Sequence, residues 1–319
     1  MFRMVGKILL LNITSDMINM EKDRYDQELK TWWRNEDWTE QQTFVEAKFV
    51  SNEPIVVIGG CARSGTTLCR VMLNAHPDIV IGPHTNIFVP ITVNLPYIAS
   101  QLSIDLDDVK RMHCHSSDWA EFIDNIRAAM VHKYNKPVWG EKTARNVHSF
   151  DWILRHFPNC RLIHMVRDGR DVISSLRTYP HKQLVDDEIC SMPHHEMPLS
   201  ECADRWLRAT GEGMAFRGDE RYIEVRYEDM VREPEATMRR ILAVMGLPFN
   251  EVVLKHDCQA GPLVDTTKFY QNATAITPIN HKAIGRWRKD ISESEQHEIF
   301  PHLSQRLNEL GYDASNGAL

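Results

Sequence analysis

IVVIGGCARSGTTLCR, residues 55–70, passes from four apolar residues through a glycine loop into a helical pattern that runs on to His76-Pro77. Strand, glycine loop and helix together let a backbone cradle an anion, because successive N–H groups and a helix N-terminus converge on one point. Gly60 and Gly65 stand where a phosphate loop of the GxxxxGK[ST] kind places its glycines. The lysine that should follow Gly65 is missing: the chain reads Gly65-Thr66-Thr67, and the cation comes earlier, as Arg63. An ATP-type loop needs that lysine on the β- and γ-phosphates and a hydroxyl on Mg²⁺. Keeping the glycines while shifting the cation suits a shorter anionic group bound without metal.

Outward from this loop the pattern alternates. Strand-like runs are predicted at 55–59, 137–140, 161–166 and 221–226. Helical patterns lie at 65–75, 118–134, 146–157, 168–178, 199–217, 234–246 and 292–311. Strands alternating with helices predict an α/β fold of three layers, a central parallel sheet covered on both faces as in P-loop NTPases. Ligands of such sheets bind at the carboxyl ends of the strands, so the loop 59–67 and Arg167 can share one crevice. Residues 1–50 are expected to form an N-terminal helical extension, with Trp32, Trp33 and Trp38 in a charged stretch, and 51–319 a single domain. Packing is the favoured role of the extension over a substrate or dimer contact, and a homodimer stays open. Residues 177–200, rich in proline and of mixed polarity, read as a long loop or broken helix at the rim.

The 319 residues, 43% of them hydrophobic, can bury a sizeable core. A formal charge of −7 argues against a general nucleic-acid binder, which needs a basic footprint. Seven scattered cysteines with no CxxC point to a reduced, cytoplasmic chain. Within His113-Cys114-His115, alternate residues are too cramped for one tetrahedral ion, so no metal is expected. No apolar run approaches the ~20 residues of a membrane span, and Lys7–Leu11 is too short for a secretory signal.

The motif RSGTTLxRxxLxxHP (63–77) resembles the 5′-phosphosulfate loop of sulfotransferases that use 3′-phosphoadenosine 5′-phosphosulfate (PAPS). Two further segments are similar to the same family. RLIHMV (161–166), followed by Arg167-Asp168-Gly169-Arg170-Asp171 and a helix with Ser174 and Ser175, resembles its 3′-phosphate site. INHKAIGRWRKD (279–290) resembles the C-terminal segment that covers the cofactor. The likeness is to the tyrosylprotein and related bacterial branch. It implies cofactor contacts from Arg63, Ser64, Gly65, Thr66 and Thr67 in the loop, from Arg167 and Ser175 on the 3′-phosphate, and from Tyr227 near the adenosine. From the segment 271–290 it implies contacts by Gln271 through Asn280 and by Arg286, where close relatives have lysine.

Sulfuryl transfer is an in-line displacement that needs a base, a cation at the leaving oxygen and donors on the sulfate. The loop supplies donors. Lys142, at the end of a predicted strand, is expected to be the cation, and it precedes Arg167 by the 25 positions that separate the family's catalytic lysine from its 3′-phosphate arginine. The family's catalytic glutamate lies 21 residues after the loop arginine, and here that position is His84. An imidazole near its ordinary pKa of ~6.5 is neutral and can accept a proton. The expected protein is thus a sulfotransferase moving the sulfuryl group of PAPS to a metabolite, glycolipid or sugar hydroxyl, with a protein tyrosine as the alternative acceptor. A P-loop small-molecule kinase and a catalytically silent nucleotide-binding protein are the readings of other classes.

Overall fold

The computed structural model describes residues 47–89, 94–178, 182–185, 188–191, 197–258, 261–263 and 275–314. The chain runs β1 (Ile55–Gly60), α1 (Thr66–Asn74), β2 (Ile79–Ile81), α2 (Leu95–Leu102), α3 (Leu106–His115) and α4 (Trp119–Tyr134). Next come β3 (Val138–Lys142), a 3₁₀ turn (Ala144–Ser149), α5 (Phe150–His156), β4 (Cys160–Val166) and α6 (Gly169–Arg177). After β5 (Lys182–Val185) and β6 (Glu188–Ser191) follow α7 (Leu199–Met214), β7 (Tyr222–Arg226), α8 (Tyr227–Arg232) and α9 (Pro234–Val244). A second 3₁₀ turn (Glu251–Lys255), α10 (Trp287–Asp290) and α11 (Glu293–Glu309) close it.

Five strands form one sheet in the order β2-β3-β1-β4-β7, and every pair in it is parallel. The period-two alternation of side chains along a strand divides the buried residues into two cores. Ile55 and Val57 of β1, with Leu162 of β4, pack with α4, α5, α7 and α11 through residues such as Phe122, Trp152, Trp206 and Leu303. Val56 and Ile58, with Ile163 and Met165, pack on the other side with Met72 and Leu73 of α1 and Ile241 and Leu242 of α9. The result is the three-layer α/β arrangement predicted from the alternation.

Register then fixes the site. Ile58 pairs with Lys142 and Val57 with Glu141, while Gly60 pairs with Met165 and Val166 with Arg226. The carboxyl ends of β1, β3, β4 and β7 therefore finish at one edge, which carries the glycine loop, Lys142, Arg167 and Tyr227.

Several elements differ from the sequence reading. β2 has only three residues, too few for a visible alternation. α2 has a proline in its first turn and Asn94 as its cap, whose side chain accepts from Tyr97 N–H at 2.8 Å, and α3 is capped by Asp105. Neither helix is among the patterns read from the sequence, although Pro is at home in a first helical turn. The 177–200 segment, read as loop or broken helix, contains the antiparallel pair β5–β6 between the end of α6 and the start of α7. Contacts divide the chain into two compact units, residues 43–178 with 196–319, and residues 1–42 with 179–195. The tryptophan-bearing stretch 23–42 lies outside the described residues. Among these residues no helix is long and apolar enough to cross a membrane.

Candidate active site

The end of β1 and the loop after it hold three residues at positive φ, Gly60 (145°), Arg63 (71°) and Gly65 (88°). A Cβ on Gly60 would stand 2.3 Å from the Met165 carbonyl oxygen, and one on Gly65 would stand 2.5 Å from the Tyr227 ring. Both positions therefore require glycine. Gly65 is the N-cap of α1, which has no side-chain cap and no acidic residue in its first turn, so its first N–H groups keep the positive end of the helix open toward the loop. The buried Ser64 hydroxyl has no partner among the described residues.

Arg167, just beyond β4, is the hub of the crevice. It donates to the Arg63 carbonyl at 3.0 Å and to the Ala283 carbonyl, lies 3.8 Å from Asp171, and rests on the Tyr227 ring at 4.7 Å. Its buried Nε–H has no partner among the described residues. Arg63 donates through Nε to the Ser175 hydroxyl at 3.0 Å. The two groups assigned from sequence to opposite ends of a nucleotide thus touch, which joins the loop to α6.

On the other side, the Lys142 ammonium donates to the Thr67 hydroxyl at 3.3 Å. Burial first, then the Arg70 guanidinium, lower its pKa to about 7, with Glu141 opposing. His84 is half-buried, with Tyr97 beside it at 5.9 Å between ring centres. Burial, then Lys142 and Arg70, push its pKa down to about 3. The sequence expectation of an imidazole near 6.5 is corrected: two cations and a partly dry wall hold the ring neutral far into acid.

The 281–290 segment is strapped to α6. Asp171, fully buried, accepts from Gly285 N–H at 2.8 Å and Trp287 N–H at 3.1 Å. Burial raises the Asp171 pKa against the pull of Arg167. Ser174 donates to Asp290 at 2.5 Å, and Arg170 stacks on the Trp287 ring at 4.6 Å. Arg286 is held by the same Asp290 at 2.6 Å, and Asn280 is exposed, its side chain accepting from Lys282 N–H at 3.2 Å. Of the cofactor residues read from sequence, the structure gathers Arg63–Thr67, Arg167, Ser175 and Tyr227, with Lys142 joined to them through Thr67. Arg286 and Asn280 are engaged in these local bonds, and 271–274 lie outside the described residues.

Four residues escaped the sequence reading: Arg70, Thr85, Glu141 and Asp171. Arg70 is fully buried and donates to the Ile81 carbonyl at 3.3 Å. Arg70 and Asp171 stand inside the quoted motifs without a role assigned to them, and Glu141 falls one residue beyond the strand read at 137–140.

An all-parallel sheet with an anion-cradling loop and three converging cations defines an α/β fold of the sulfotransferase type. Residues 54–251 match the model of the sulfotransferase family, and the chain belongs to that family. Protein-tyrosine sulfotransferase A of Caenorhabditis elegans is 26% identical over 270 residues, covering 82% of this chain and 67% of that one. Protein-tyrosine sulfotransferase 1 of Danio rerio is 27% identical over 278 residues, covering 83% and 74%. Among solved structures, the sulfotransferase domain of the Synechococcus PCC 7002 olefin synthase superposes with a TM-score of 0.59 at 21% identity, over 86% of this chain and 99% of that domain. The sulfotransferase domain of the curacin biosynthetic pathway gives 0.58 at 18%, over 83% and 99%. These two support the fold.

Proposed function

We propose that this sulfotransferase transfers the sulfuryl group of PAPS to a phenolic hydroxyl, that of a tyrosyl side chain above others. The observation that carries the donor is the pair of joined cation sites. Arg63 with the α1 N-terminus suits a 5′-phosphosulfate, and Arg167 with Ser175 suits a 3′-phosphate one contact away. In the transfer, the acceptor oxygen attacks sulfur as its proton passes to His84. The bond from sulfur to the bridging oxygen breaks, and its electron pair stays on the 5′-phosphate of the departing 3′,5′-ADP. Lys142, charged, steadies that oxygen, while loop N–H groups and Thr66 and Thr67 bond the sulfuryl oxygens.

Two considerations favour a phenol over the metabolite, glycolipid or sugar hydroxyl expected from sequence. The relatives quoted are named protein-tyrosine sulfotransferases. His84, depressed to about 3, is a weak base. Such a base is better matched to a phenol of pKa ~10 than to an alkyl hydroxyl near water's ~16. Bound PAPS, being anionic, offsets Lys142 and Arg70 but not burial, the largest cause, so His84 stays below its ordinary value while the donor is in place.

The test is release of 3′,5′-ADP from PAPS with a tyrosyl peptide, a simple phenol and an alkyl alcohol as acceptors, alongside adenosine 5′-phosphosulfate as a rival donor. PAPS should be the better donor by on the order of a hundredfold, the worth of two charge-assisted hydrogen bonds. Equal use of the two donors would end the nucleotide assignment, and turnover confined to the alkyl alcohol would end the phenol reading.

A further inference from the structure

Glu141 has no part in the transfer just described, yet its carboxylate is 1% exposed and saturated with donors. Oε1 accepts from the Thr85 N–H and hydroxyl, both at 2.9 Å, and from the Thr143 hydroxyl at 2.7 Å. Oε2 accepts from the Asn146 amide. The Thr143 oxygen in turn accepts from Asn86 N–H at 3.2 Å. The two residues that follow His84 are therefore clamped to the end of β3 by the side chains of Glu141 and Thr143.

A buried carboxylate is costly unless every lone pair is used, and a clamp made only to join two backbones could be neutral. What a neutral clamp lacks is charge, and the next residue is Lys142. The charged groups around Lys142 are Arg70 from α1, Glu141 from its own strand and, when protonated, His84 from the 82–86 segment. Of these only Glu141 is negative.

We propose that Glu141 is the positioning residue of the site, holding His84 in place through Thr85 and keeping Lys142 charged. This rests on the roles given above to His84 and Lys142. The two halves separate by substitution. Glu141→Gln keeps an oxygen for Thr85 and removes the charge. Glu141→Asp keeps the charge and withdraws the oxygen from Thr85. Thr85→Val removes the hydroxyl alone.

The experiment reads the Lys142 titration directly, by ¹³C NMR of the reductively methylated full chain, with Lys142→Arg assigning the signal. It needs no acceptor, so it stands whether or not the acceptor reading does. Glu141→Gln should move the titration to lower pH by at least about half a unit, since a negative neighbour favours the charged amine. The alkaline limb of kcat/KM should move with it. Glu141→Asp should leave the titration in place while kcat on a phenol falls at least tenfold, with KM for PAPS within about twofold of wild type; Thr85→Val should do the same to kcat. An unmoved Lys142 titration in Glu141→Gln, or wild-type kcat in Thr85→Val, overturns the proposal. Thermal melting establishes that each variant is folded. Should Glu141→Gln not fold, Glu141→Asp decides: low kcat with the Lys142 titration intact supports the proposal, and wild-type kcat overturns it. If His84→Ala retains full turnover, the base assignment falls instead, and the titration still tests the link from Glu141 to Lys142.

Discussion

Lys142 and His84 are both held away from their protonated forms, to about 7 and about 3, and both line the crevice that the nucleotide would fill. An anion arriving there restores charge to the lysine, so binding of 3′,5′-ADP should take up a proton. Calorimetry in buffers of different ionisation enthalpy at pH 8 should show uptake approaching one proton, and affinity should weaken by up to about tenfold per pH unit above 7. Lys142→Met should abolish the uptake; uptake that persists in that variant would place the titrating group elsewhere. His84→Ala should leave nucleotide affinity nearly unchanged and lower kcat by roughly 10²–10⁴. Because His84 is already neutral in the free enzyme, kcat/KM should show no acid limb near pH 6–7. His84→Glu should restore part of the turnover, glutamate being what the resembled branch carries there. The roles proposed for Lys142 and Arg167 were legible through the resemblance, by the 25 positions between them, and that of Arg63 through its place in the glycine loop. The depressed pKa of His84 could not, because it depends on Arg70 and Lys142, 14 residues before it and 58 after it.

Among the elements, the glycine loop makes the sharpest demand on sequence. Gly65→Ala would combine a positive φ with a clash against Tyr227, whereas Gly218→Ala would meet only the φ, since nothing lies within 4 Å of its Cβ. Backbone strain of this kind costs about 1–3 kcal/mol. Both variants should lower the urea midpoint, but only Gly65→Ala should also weaken 3′,5′-ADP binding, by at least about tenfold. Equal affinity in the two would show that the loop conformation does not matter to the nucleotide. The long alternating stretches, β1 through α1 and β4 through α6, were legible because their apolar periods are unbroken. β2 was not, being three residues whose burial is decided by pairing with Val138–Gly140. The strap over α6 was legible only as a resemblance, since Asp171 finds Gly285 and Trp287 across 114 and 116 residues.

At the scale of the whole molecule, acid should be the weak point. His164 is fully buried between the layers, 2.7 Å from the Tyr222 hydroxyl, with its pKa pushed to about 3 by burial, Arg217 and Arg306. A folded pKa below the unfolded ~6.5 gives stability that is present above pH 6.5 and lost as pH falls toward 3. The slope for one such residue is about 1.4 kcal/mol per pH unit, and His84 adds to it in the same direction. Denaturant midpoints taken at pH 7 and pH 5 should therefore differ, and His164→Asn should narrow the difference. A wild type equally stable at both would contradict the burial of these imidazoles.

Glu141 and Lys142 are consecutive residues of one strand, and their register partners Val57 and Ile58 belong to different cores. Their division of labour is thus a matter of parity. Removing any single residue between Pro137 and Gly140 would bring the ammonium opposite Val57, in the place of the carboxylate, move the carboxylate opposite Val56, and leave Thr143 where the anion site needs its cation. Removing two would restore the odd–even count and cost only strand length. Homologous chains that differ in length here should therefore do so in steps of two.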